Sequence, residues 1–250
     1  MKRFFILIIM ILSLTLITTS CSQTNDKLDK DKITAAVSII PQKAFVKAVG
    51  KDKVEVVTMI PPGSSPGNYQ PSPKELMKFS RASIYFAIGV PAETTNILPE
   101  AEKINENIEI VKLDNKVAQV YPDRYFDSGG RDPHIWLSPR RVKVIIDIIA
   151  EKLAELDSNN KDIYIANAEN YKEKLDNLDN EIKDTLTDVK NKQFLIYHPS
   201  YGYFADDYGL EMVAIEKNGK KATMKQCCNI IDVAKENNIS TVFYQSEIDS

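Results

Sequence analysis

Short apolar runs rich in β-branched residues alternate along this chain with stretches of helical periodicity, and that alternation limits the fold more than any other feature. The runs lie at 33–39, 54–60, 83–88, 108–112, 194–197, 211–214 and 241–244; the helical stretches lie at 41–50, 74–80, 139–157, 162–189 and 223–237. Strands that take turns with helices need crossover connections, which give parallel sheets covered on both faces. An α/β fold is therefore expected. The stretch 162–189 is far longer than a typical globular helix and would extend roughly 40 Å at 1.5 Å rise per residue. Its apolar positions Ile165, Tyr171, Leu175, Leu178, Ile182 and Leu186 recur every three or four residues, and its other faces are charged. Such a helix between two strand-rich halves predicts a rigid strut joining two lobes. The expected boundaries are an N-terminal lobe over 33–157, a linking helix over 158–190 and a C-terminal lobe over 191–250. The helix before the strut opens on Ser138-Pro139, a hydroxyl N-cap followed by proline at the first helical position. Val142, Ile145, Ile146, Ile149, Leu153 and Leu156 then form its apolar stripe.

The first 32 residues belong to no such pattern. Lys2 and Arg3 precede an uncharged run over 4–17, about the length of a signal-peptide core and short of the roughly 20 residues a spanning helix needs. Thr18, Thr19 and Ser20 lead to Cys21. A small residue before a cysteine at the end of such a run resembles the lipobox of bacterial lipoproteins, with Thr18 where that pattern usually has Leu. Residues 1–20 are expected to be removed, Cys21 to be lipidated and 21–32 to act as a polar tether. Loss of Lys2 and Arg3 takes the formal charge from −3 to −5, which argues against nucleic acid as a partner. Cys227 and Cys228 are adjacent and cannot readily bridge each other, so no disulfide is expected and at least one should be buried as a small apolar residue.

In open α/β sheets, ligands bind beyond the carboxyl ends of the strands. Both histidines of the chain fall at such places. His134 lies in a loop ahead of the capped helix, and His198 closes an apolar strand; each has a neighbouring proline that stiffens its backbone. Neutral imidazole is the commonest nitrogen ligand of zinc, so the pair is read as a metal site. Trp136 and the tyrosines 197, 201, 203 and 208 are read as packing and cleft lining.

The segment Asp132-Pro133-His134-Ile135-Trp136-Leu137-Ser138-Pro139 resembles the Asp-Pro-His-x-Trp-Leu-x-Pro motif of the zinc and manganese solute-binding lipoproteins of ABC transporters. His198-Pro199-Ser200-Tyr201-Gly202-Tyr203-Phe204 is similar to that family's second metal motif, which precedes an aromatic-rich helix. The loop from Pro61-Pro62-Gly63 to Tyr69-Gln70-Pro71-Ser72-Pro73 resembles its first. The resemblance implies two α/β lobes joined by a backbone helix with one metal between them. It further implies a histidine ligand after Pro66, where this chain has Gly67 and Asn68, and an Asp ligand on a further loop beyond the strand near Tyr244, where this sequence ends at Ser250. A fragment with an incomplete C-terminal lobe is the expectation, with Glu247 or Asp249 as the acidic residues near the end that could contribute instead.

The leading reading is an extracytoplasmic receptor, lipid-anchored to the cell membrane. It captures zinc, or manganese, through His134 and His198 and hands it to a membrane ABC permease; a monomer is expected. The alternatives are a surface lipoprotein or adhesin with a degenerate metal site, and a zinc-dependent hydrolase. The latter finds no His-Glu-x-x-His helix, no Gly-x-Ser-x-Gly elbow and no phosphate loop in support.

Overall fold

The computed structural model describes residues 32–216 and 222–245. The leader, Cys21, most of the tether, Glu247 and Asp249 lie outside the described residues. Among these residues no helix is long and apolar enough to cross a membrane.

Two parallel sheets organise the described chain. The first has the order β2-β1-β3-β4, built from β1 (Ile33–Val37), β2 (Val54–Thr58), β3 (Ile84–Ala87) and β4 (Glu109–Lys112). Its central strands are almost wholly apolar and buried, as a sheet covered on both faces requires. Helix α1 (Ile40–Gly50) returns the chain from β1 to β2 and packs Phe45, Val46 and Val49 into the core. Gly50 ends it where the backbone almost touches the next strand: a Cβ there would lie 2.4 Å from a methyl of Val54. The second sheet has the order β6-β5-β7, built from β5 (Gln193–Ile196), β6 (Glu211–Ala214) and β7 (Val242–Phe243).

The capped helices form where their start signals stand. Helix α2 (Pro73–Phe79) opens with a capping box between Ser72 and Glu75. Three short helices carry too little periodicity to be read from sequence. Helix α3 (Leu98–Ile104) follows a π-helical turn at Glu93–Ile97, and helix α4 (Leu113–Ala118) follows β4 directly. The third, following His198, is described with the site.

Helix α5 (Pro139–Leu156) starts at the expected cap, where the Ser138 hydroxyl accepts from the Arg141 N–H, and buries the expected stripe except Leu156, which is exposed at its end. Helix α6 (Lys161–Thr187) is the long helix. Its inward face is Tyr164, Ala168, half-buried Tyr171 and Leu175, whereas Ile165 and Leu178, expected to face inward, are exposed. Two polar bonds lie on the inward face at the start of the helix. Asn167 donates to the Val49 carbonyl at the end of α1, and the Tyr164 hydroxyl donates to Asp157 ahead of α6. Both bonds fasten the N-terminal end of the helix by the face that carries Tyr164, while Tyr171 and Leu175 stay inward as expected. The helix lies along α5 and α1 of the first sheet and leads directly into β5 of the second.

Candidate metal site

His134 is set by a tight local device. Asp132, fully buried, turns one carboxylate oxygen, Oδ1, toward both the His134 backbone N–H (3.0 Å) and the ring Nδ1 (2.7 Å). Ile135–Leu137 then forms a single 3₁₀ turn into the Ser138 cap, and Trp136 packs edge-on against the His134 ring at 5.1 Å. Trp136 is thus a packing residue beside the site.

His198 is set by the second sheet. It stands two residues beyond β5, and Glu216 stands two residues beyond β6. The parallel register pairs Ile196 with Ala214, and Glu216 N–H donating to the Tyr197 carbonyl carries that register one step further. Glu216 Oε2 thereby reaches His198 Nδ1 at 2.7 Å. Neither Asp132 nor Glu216 was marked by sequence as a partner of these rings. Asp132 sits inside the Asp-Pro-His segment and could have been found; Glu216 required knowledge of the β5–β6 pairing.

The two rings meet across the sheets, with His134 Nε2 and His198 Nε2 3.3 Å apart. Each Nδ1 faces a carboxylate, so each Nδ1 carries the proton and each Nε2 presents a lone pair. Two lone pairs aimed at one another repel unless a cation lies between them. Two nitrogen ligands about 2.0–2.1 Å from a tetrahedral metal stand roughly 3.3 Å from each other, which is the separation observed. Burial pushes the His134 imidazole below its usual range against the opposing pull of Asp132, and the His198 ring and the Arg124 guanidinium add to the lowering. Burial thus favours the neutral form of His134.

The first loop is held by its own backbone and by the segment at 92–96. Tyr69 N–H donates to the Ser65 carbonyl, Ala92 N–H donates to the Pro66 carbonyl, and the Asn96 amide donates to the carbonyls of Asn68 and Tyr69. The Tyr69 hydroxyl donates to Glu75; burial and that carboxylate push the phenol up to about 12. Gly67 and Asn68 are exposed. Among the described residues no group of three or more His, Cys, Asp or Glu side chains could hold a metal, so the histidine pair is what the described chain offers. The cysteines contribute nothing to it. Cys228 is exposed and Cys227 half-buried, contrary to the expectation of burial, because helix α8 (Met224–Glu236) carries no fully buried residue.

Helix α7 (Gly202–Tyr208) follows His198 and fastens the two halves together. Tyr203, fully buried, donates its hydroxyl to the Asp132 carbonyl (3.0 Å) and accepts from the Arg124 N–H (2.9 Å). Asp207 binds Arg141 at 2.9 Å and also engages Arg140 and the Ser138 hydroxyl. Arg141 lies over the Tyr203 ring.

Two carboxylate-oriented imidazoles meeting at one point, one from the turn ahead of α5 and one from just beyond β5, are the arrangement that a solute-binding protein for a metal cation would use. The chain belongs to the family described as zinc-uptake complex component A, periplasmic, whose profile matches residues 36–250. It is 28% identical over 260 residues to the manganese ABC transporter substrate-binding lipoprotein PsaA of Streptococcus mitis, across 100% of this chain and 84% of that protein. It is 25% identical over 229 residues to the high-affinity zinc uptake system protein ZnuA of Bacillus subtilis, across 86% and 71% of the two. A crystal structure of ZnuA matches with a TM-score of 0.82 at 35% identity, covering 88% of this chain and 84% of that one.

Proposed function

We propose that the chain is the extracytoplasmic receptor of a metal ABC transporter. His134 and His198 bind the cargo through Nε2, and the loaded protein delivers it to a membrane permease. The observation that carries this reading is the pair of Nε2 atoms 3.3 Å apart, each ring held from behind by a carboxylate. Nitrogen ligation favours zinc over manganese, which prefers more oxygen. Relatives named for manganese make manganese the alternative cargo. The division into lobes over 33–157 and 191–250 with a link over 158–190, the lipid anchor at Cys21, a monomeric state and the absence of catalysis complete the proposal.

Calorimetric titration of the protein with zinc, with manganese as competitor, tests it. One-to-one binding that His134→Ala plus His198→Ala removes supports the receptor; binding indifferent to both substitutions ends this reading. The exposed Gly67 and Asn68, where the resemblance implies a ligand, favour one second reading: a surface lipoprotein whose site has decayed. Its melting temperature would ignore zinc, whereas a receptor is stabilised by mass action, by about 2.7 kcal/mol at a hundredfold excess over Kd.

A further inference from the structure

The Asp132 carboxylate uses one oxygen on His134 and offers the other to Arg124, whose Nη1 lies 3.3 Å from Oδ2. The Arg124 backbone is fixed as well. Its N–H donates to the Tyr203 hydroxyl, and its carbonyl accepts from the Asp132 N–H at 2.8 Å. Its Nε lies 3.3 Å from Asp206 on α7. The guanidinium also lies against Gly202 at the start of that helix: a Cβ there would stand 2.6 Å from its Cζ, Nε and Nη1. Only glycine leaves room for the arginine in this position. Gly202 follows His198 by four residues, so the segment bearing one imidazole seats the cation that steadies the other.

We propose that Arg124, seated on Gly202, is a positioning residue for metal capture. It occupies the second oxygen of Asp132, keeps the first aligned on His134 Nδ1, and so holds His134 Nε2 aimed at the point where His198 Nε2 already faces. The arm to Asp132 carries the effect, because that carboxylate is fully buried; the arm to Asp206, whose side chain is 55% exposed, is screened and contributes little. The proposal rests on the histidine site of the preceding section.

Zinc affinity of Arg124→Met, Gly202→Ala and the double variant tests it, with ring-nitrogen NMR of the metal-free proteins as a second readout. Gly202→Ala keeps the arginine and only displaces its flexible end, so it decides the matter if Arg124→Met does not fold. Each single change is expected to weaken zinc binding by about 10- to 100-fold, the range for partners that orient a ligand. The double variant should be no weaker than the worse single one. His134 should pass from one Nδ1–H tautomer to a mixture, while Asp206→Asn stays within about twofold of the parent. Folded variants that bind zinc as the parent does, or losses that multiply in the double variant, overturn the proposal. His134→Ala separates the two failures. If it too binds as the parent, the histidine site itself is wrong; if it alone loses zinc, only the role of Arg124 is.

Discussion

The two halves of the site are built differently. The His134 ring is 11% exposed, and its carboxylate stands two residues away, fully buried in the same turn. The His198 ring is 25% exposed, and its carboxylate stands eighteen residues away on the neighbouring strand's extension. The sheets behind them differ in the same sense. Every residue of β3 is buried, whereas none of β6 or β7 is, and Val242, Phe243 and Tyr244 are exposed. One half is set by local chain geometry against a dense core. The other depends on a pairing between separate strands, β5 and β6.

Removing a ligand from either half gives the largest expected effect. A structural zinc site is worth about 10–16 kcal/mol over four ligands, so His134→Ala or His198→Ala should each cost on the order of 3 kcal/mol of zinc binding by calorimetry, more than a hundredfold in Kd. Equal tolerance of both changes would erase the comparison.

The partners of the ligands come next and should separate the halves. Asp132→Asn removes a buried charge that serves the His134 ring, its backbone N–H and Arg124 together. It is expected to weaken zinc binding toward the upper end of about 10- to 100-fold and to lower folding stability by about 1–3 kcal/mol. Glu216→Gln should fall at the lower end, with little change in denaturant midpoint. The reverse order would show that the second sheet, not the Asp132 turn, is the stiffer support.

Acid should act through His134 and base through Glu93. The folded His134 pKa lies below its unfolded value, so its contribution to stability is present above the usual histidine range and is lost as pH falls through it. Glu93 has the opposite sign. Burial raises it to about 7, against the pull of donors from Ser38, Ile88 and Gly89. Its contribution is present below the ordinary carboxylate range and is lost as pH rises toward about 7, on the order of 3 kcal/mol. Denaturant unfolding of the metal-free protein across pH checks both, and His134→Ala should flatten the acid limb alone.

The smallest effect belongs to surface ion pairs such as Lys103 with Glu100, both well exposed. Lys103→Ala should shift the same midpoint by less than about 0.5 kcal/mol.

Much of this molecule was legible in its sequence, and the illegible parts have separate causes. Alternating strands and helices, the Ser138-Pro139 cap and the length of α6 follow from local pattern, and so does the position of His198 just beyond β5; His134 instead stands in the turn ahead of α5, well past the end of β4. The inward face of α6 was legible at Tyr171 and Leu175 but not at Tyr164 and Ala168, which take the place of the exposed Ile165 and Leu178. The short helices α3, α4 and α7 are too brief for periodicity to speak. Glu216 and Arg124 were invisible for a different reason: Glu216 meets His198 through the β5–β6 pairing, and Arg124 reaches Asp132 only because the loop between them folds back on itself at the Tyr125–Arg131 bridge. Gly202 reads as an unremarkable small residue until the guanidinium on it is seen.

X-ray absorption at the zinc edge of the loaded protein tests the central claim most directly. Two imidazole nitrogens at about 2.0–2.1 Å, both lost from zinc held by the His134→Ala, His198→Ala protein, are the predicted result. A zinc shell without imidazole scattering, or one unchanged by those substitutions, would contradict the account.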